Sequence, residues 1–209
     1  MKTQANKSTH PLLLLAGIAL MVIGAAGVAA DTAPAALVRS TVDEVLTVIK
    51  QNKDKQALRQ LAEQKVLPCF DFKRMTQLAV GSGWRKADQT QQRALESGFR
   101  ALLVNTYTNA LAQSAAGDRF AVDVGAAQPQ SGRDEAMVKT VVKRPGKPPV
   151  AIDYRLERAG TDWKVYDVIV EGVSLVLNYR DSFESEISRS GVAGLINALE
   201  EKNRALAKG

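Results

Sequence analysis

The run "WKVYDVIVEGVSLVLNYRDSF", Trp163 to Phe183, decides how the chain is read. Trp163 to Val170 is rich in β-branched and aromatic residues and alternates, which predicts a strand. It offers Tyr166, Val168 and Val170 to one face. Trp163, Val165 and Ile169 go to the other, with Asp167 among them. After only Glu171 and Gly172 the period changes. From Val173 on, Val176, Leu177, Phe183 and Ile187 fall on one side of a helix, with Leu175 and Tyr179 on a second. Apolar residues therefore stand on both faces of the strand and on a wide stripe of the helix. One buried face per element is enough for a globular core, so the surplus calls for an explanation.

Working backwards, three more strands precede this one. Arg119 to Gly125 sets Phe120, Val122 and Val124 against Arg119, Ala121 and Asp123. Ala136 to Lys143 and Val150 to Glu157 also alternate, and "RPGKPP" at 144–149 is a turn between them. "RAGTD" at 158–162 reverses the chain into Trp163. Four consecutive strands with short turns predict an antiparallel meander.

Before the strands the period is helical. Ala35 to Asn52 carries Leu37, Val38, Val42, Val45, Leu46 and Ile49, with Pro34 in its first turn and Thr32 as candidate cap. Asp54 to Val66 brings Leu58, Leu61 and Ala62 to one face and stops at Pro68. Asp71 is a candidate N-cap for a short helix through Phe72, Met75, Leu78 and Ala79. Asp88-Gln89-Thr90-Gln91 has capping-box spacing for a long helix to about Gln113. Gly191 to Lys208 supplies a last amphipathic helix. Helices, then an antiparallel sheet, then helices define an α+β class.

Composition narrows the chemistry. Lys2 and Lys7 precede an apolar or small-residue run from Leu12 to Ala30, and Val28-Ala29-Ala30 before Asp31 has the form of a cleavage site. This is the pattern of a secretory signal peptide. Residues 1–30 are thus expected to be removed near Ala30-Asp31, leaving 31–209 as a single exported domain. Without Lys2 and Lys7 the net charge falls from +6 to +4. That excess is too small and too dispersed to argue for nucleic acid. His10 is the one histidine and lies in the leader, so the mature chain has no Ser-His-Asp or Cys-His nucleophile and no histidine metal site. Cys69 is the one cysteine, so no intramolecular disulfide forms. A catalytic reading would have to rest on an Asp or Tyr acid–base group such as Asp153 or Tyr154 acting on a small apolar substrate.

Three separated segments carry a resemblance: "DFKRMTQLAVGSGW" from Asp71, "FRALLVNTYTNAL" at Phe99–Leu111, and the Trp163–Phe183 run. In this order they resemble the MlaC family, also known as toluene-tolerance or ABC-transporter auxiliary proteins, over about Leu37 to Leu199. The resemblance implies a periplasmic phospholipid carrier of the Gram-negative envelope. Its partners would be an outer-membrane lipoprotein–porin complex and an inner-membrane ABC transporter with its lipid-binding subunit, and its action would preserve outer-membrane lipid asymmetry. It also implies a twisted four-stranded antiparallel sheet packed with helices from both termini around a deep apolar pocket. Phospholipid is then cargo, with no cofactor, metal or covalent chemistry.

On that basis the surplus apolar residues become candidates for a lipid pocket. They are Val142, Ile152, Tyr154, Tyr166, Val168 and Val170 on the sheet, Val173, Val176 and Leu177 at the junction, and Met75, Leu103 and Tyr107 on the earlier helices. Asn178 and Arg180 are candidates for the pocket mouth or for structural hydrogen bonds. Lys139, Lys143, Arg144 and Lys147 are either a basic rim for docking or a solvated strand face and turn.

Overall fold

The computed structural model describes residues 33–51, 56, 60, 62–114, 120–130 and 132–207. The leader pattern, Leu58, Leu61, Arg119 and Lys208 lie outside the described residues. Helix α1 spans Ala33–Gln51. A π-helical turn, Ala62–Val66, and a 3-10 turn, Leu67–Cys69, lead to α2, Phe72–Val80. A further 3-10 turn precedes α3, Gln89–Ser114. Strands β1 (Ala121–Gln130), β2 (Gly132–Arg144), β3 (Lys147–Ala159), β4 (Asp162–Val170) and β5 (Val173–Ser174) follow. The chain closes with α4, Leu175–Asn178, and α5, Arg180–Ala207, which is broken at Gly191 (φ 69°, ψ −176°) into two helical segments, the second beginning where the sequence predicts its last amphipathic helix.

Two of the three predicted caps form, and the third, Thr32, lies outside the described residues. The Asp71 carboxylate accepts from Arg74 N at 2.8 Å, and Asp88 accepts from Gln91 N at 2.8 Å. The Gln91 side chain returns a bond to Asp88 N at 3.1 Å, so two otherwise unpaired donors are satisfied reciprocally.

All strands pair antiparallel in the order β1-β2-β3-β4-β5. The α+β class and the meander are as the pattern predicted, but the sheet has five strands and not four. The extra one is the start of what reads as the junction helix. Val170 pairs with Val173, and Glu171 and Gly172 form a two-residue hairpin loop with φ of 50° and 82°. Positive φ at both loop residues matches the twist of the flanking strands. Glu171 pays a steric cost there that Gly172 does not. Two hydrogen bonds hold it: its amide donates to Ala151 O at 3.0 Å, and its carboxylate accepts from Ala151 N at 2.5 Å.

A second departure lies inside β4. Arg155 faces Asp167 and Leu156 faces Val165, so Tyr166 has no opposite residue. This β-bulge breaks strict alternation. Residues opposite one another across an antiparallel pair share a face. Trp163 and Val165 therefore join Val168 and Val170 on the face shared with Ile152, Tyr154 and Leu156, whereas period two sets them on opposite faces. Tyr166 addresses the other face with Asp167, and its hydroxyl donates to Glu135 at 3.4 Å.

Two apolar clusters result. Met75, Ala79, Leu95, Phe99, Leu102, Leu103, Val176, Phe183, Leu195 and Leu199 form a closed helical core. There Phe99, Tyr179 and Phe183 meet with ring centroids 5.2–5.5 Å apart, a separation suited to edge-on and tilted aromatic contact. Asn203 ties α5 to α3 by donating to Gly98 O at 2.9 Å. The second cluster packs Ala35 and Val38 of α1 onto Val138, Leu156, Val165 and Val168 of the sheet. Phe70 touches both clusters and joins them.

Candidate functional site

Helix α1 is seated on the sheet by its first two turns. Ala35 and Val38 are fully or nearly buried, and Arg39 donates to Val124 O at 3.1 Å. Further along, a cavity of about 380 Å³ lies between α1 and the sheet. One wall is Leu37, Val38, Thr41, Val42, Val45 and Leu46 of α1. Val122, Val142, Arg144, Val150, Ile152, Tyr154 and Val165 form the opposite wall, with Val66, Cys69, Phe70 and Phe120 at the edges. Thirteen of these seventeen residues are Val, Leu, Ile or Phe, so a ligand here would meet hydrocarbon on nearly every side. The volume lies in the range of small-molecule sites.

The polar groups on the wall are largely occupied. Thr41 donates to Leu37 O at 2.8 Å and lies 3.6 Å from Cys69 Sγ, which donates to Lys65 O at 3.3 Å. Burial pushes the Tyr154 phenol up to about 12, against the opposing pull of its hydrogen bond with Thr140. Such a phenol stays neutral across the physiological range and is poorly placed to exchange protons. Asp153 alternates with Tyr154 along β3 and so faces away from the cavity, where its partner across the ladder is Lys139. Among the described residues no group of three or more His, Cys, Asp or Glu is placed to hold a metal.

Of the residues singled out in the sequence, Val142, Ile152 and Tyr154 line this cavity. Val168 and Val170 share their face but pack into the apolar cluster beside it. Met75, Leu103 and Val176 are buried in the helical core, and Tyr107 packs against it, its phenol pushed up by burial and then by Tyr179. Tyr166 stands on the other face of the sheet over Arg74, 5.9 Å from its guanidinium carbon. Val173 and Leu177 are 55% and 45% exposed. Asn178 is exposed at the end of α4, and the Arg180 guanidinium lies against Gly81. The α1 wall, Cys69, Phe70, Phe120, Val122, Val150 and Val165 are not among the sequence candidates. The signal for α1 was present: its stripe is wider than seating on one sheet requires.

Among the described residues Asp167 is the most deeply buried charged group, 2% exposed. It accepts from Ser174 Oγ at 2.7 Å and from Val176 N at 3.3 Å, with Arg155 Nη1 at 3.7 Å. Ser174 in turn accepts from Leu177 N at 3.0 Å as the cap of α4. The carboxylate thus fixes the strand-to-helix junction against the sheet while the other face of β4 remains apolar.

The fold and the cavity define an α+β protein with a ligand-sized, hydrocarbon-lined chamber between a helix and a meander. The family model described as MlaC protein matches residues 39–201. Toluene tolerance protein Ttg2D of Pseudomonas putida is 28% identical over 186 residues, covering 86% of this chain and 82% of that protein. The solved structure of a phospholipid-binding protein from Ralstonia solanacearum, in complex with a phospholipid, is similar with a TM-score of 0.74 and 38% identity. It covers 85% of this chain and 99% of that one. The chain belongs to the MlaC family, as the three sequence segments suggested.

Proposed function

We propose that this chain is a periplasmic phospholipid carrier, reaching its compartment by loss of residues 1–30. In this reading it moves glycerophospholipid between an outer-membrane lipoprotein–porin complex and an inner-membrane ABC transporter, and so maintains outer-membrane lipid asymmetry. The observation that carries the binding step is the cavity under α1, whose wall is almost wholly aliphatic and aromatic. Family membership and the phospholipid held by the similar Ralstonia protein support the same cargo. The acyl chain would lie along Val142, Ile152 and Tyr154 under the α1 stripe.

The energetics suit a shuttle. Burying an acyl chain from water is worth roughly 0.8 kcal/mol per methylene. A chain lifted from a bilayer was already out of water, so the net transfer is close to balanced and reversible. No bond need be made or broken.

The test is lipid extraction and mass spectrometry on the mature protein purified gently from cells. Glycerophospholipid in near-stoichiometric amount is expected, and its loss in Ile152→Glu with the fold retained. Protein that is uniformly empty, and that takes up no lipid from vesicles, would refute the carrier reading.

A further inference from the structure

Two of the pocket candidates marked by the sequence belong neither to the cavity nor to a core. Among the described residues Val173 and Leu177 are the large hydrophobics that stay exposed, at 55% and 45%. Aliphatic side chains scattered singly over a surface need no explanation. These two flank one cap, Ser174, whose Oγ accepts from Leu177 N at 3.0 Å. They are also held in place. Glu171 is bonded twice to Ala151, and Asp167 accepts from both Ser174 Oγ and Val176 N. An apolar row leads to them from the cavity. Ile152 lines its wall, Val170 stands opposite Ile152, and Val173 stands opposite Val170, so the three share one face of the sheet. Ile152 and Val170 are half-buried and Val173 is open. The hydrocarbon wall is thus continued, strand by strand, to the surface.

We infer that Val173 and Leu177 dock this protein on a lipid bilayer surface. The inference rests on the carrier reading and deepens it, by naming the surface through which the protein meets the source of its cargo. A second copy of the chain is the poorer occupant. A stable protein interface takes about 20–30 residues a side, and two exposed aliphatic side chains fall far short of that. A bilayer requires no matching partner surface, because attraction to it scales with the apolar area that leaves water. Charge adds little. The Glu171 carboxylate is turned back onto Ala151 N, and beyond Leu177 the exposed Arg180 and Asp181 offset one another. Covering the open halves of two aliphatic side chains favours the docked state by about one to two decades. That is weak enough for a carrier to leave again.

The experiment uses lipid-free protein and phosphatidylcholine vesicles, with co-flotation and the rate of phospholipid uptake as readouts. A twelve-carbon lysophosphatidylcholine, presented as monomer, reports the cavity separately. Replacing both residues, Val173→Ser with Leu177→Ser, should lower vesicle binding and uptake by about tenfold. Binding of the monomeric lysolipid should stay within twofold, which also shows that the fold is kept. Leu177→Trp should float at least as well as wild type, and brominated acyl chains should quench its fluorescence beyond that of wild type. Unchanged uptake in the double variant would overturn the inference and leave the carrier reading in place. So would an equal loss of lysolipid binding, which would assign both residues to the cavity. Flotation abolished by about 0.5 M salt would show docking by charge and overturn it as well. A wild-type dimer in analytical ultracentrifugation that the double variant splits would give the patch to a second copy. Wild type that takes nothing from vesicles and binds no lysolipid would overturn both readings.

Discussion

The cavity volume sets a limit on how much hydrocarbon it rewards. A methylene occupies nearly a water's share of liquid, about 30 Å³, so 380 Å³ accommodates on the order of 13 methylenes. For single-chain lysophospholipids taken from water as monomers, each buried methylene contributes about 0.8 kcal/mol, roughly fourfold in affinity. From eight to fourteen carbons the dissociation constant should therefore fall by three to four decades in all. Beyond about fourteen carbons the added methylenes no longer find wall, and the gain per carbon should drop below twofold. The assay is displacement of a fluorescent fatty acid, run below the aggregation threshold of each lysolipid. An affinity indifferent to chain length would refute burial in this cavity. A slope continuing unbroken to eighteen carbons would refute the volume argument, because the wall would then be yielding.

Yielding of that wall is itself testable, since the C-terminal half of α1 stands over the cavity while its first turns are seated. Thr41→Cys places a second sulfur beside Cys69, and the oxidised variant should load lysolipid normally but diacyl lipid at least tenfold less, with reductant restoring it; equal loading would show that α1 need not move. Because burial raises the Tyr154 phenol, the neutral form is the one the fold favours. Its stabilisation is present below pH 10 and lost as pH rises toward 12, by up to about 3 kcal/mol. Urea melts from pH 9 to 12 should show that loss diminished in Tyr154→Phe, and identical slopes would contradict it. Asp167→Ala strands Ser174 Oγ, Val176 N and Arg155, so it should cost about 3 kcal/mol in the same assay, against about 1 for Ser174→Ala; two equal, small losses would show that the carboxylate is not the anchor.

What was legible in the sequence was local. The caps at Asp71 and Asp88 depend on residues three apart, and the alternation of β2 and β3 on residues two apart. The hairpin at Glu171-Gly172 escaped because its first loop residue is a glutamate at φ 50°, held by Ala151, twenty residues away. The α1 side of the cavity wall escaped for a different reason. Met75 and Leu103 have the same apolar spacing as Val45 and Leu46, yet the first pair fills a closed core and the second overhangs a void. Spacing reports which side of an element avoids water, and says nothing of whether protein or ligand sits there.

The bulge at Tyr166 has a consequence of its own for β4. The strand must send Val165, Val168 and Val170 to the α1 side and Asp167 to the junction helix, which strict alternation cannot do from Val165 to Val168. One extra residue resolves the conflict, because it lets Tyr166 and Asp167 share a face. Deleting Tyr166 should then leave Val165 opposite Leu156 and Asp167 opposite Arg155, each on its present side. The expected cost is confined to the lost contacts with Glu135 and Arg74, on the order of 1–3 kcal/mol. Deleting Ile169 instead removes a regularly paired residue. Either Val170 and the hairpin or Val168 and Asp167 must then change faces, and a buried carboxylate delivered into the apolar layer should unfold the domain. Circular dichroism and urea denaturation of the two deletions decide it. Equal tolerance, or a greater loss on removing Tyr166, would show that the bulge is not what divides the strand between its two partners.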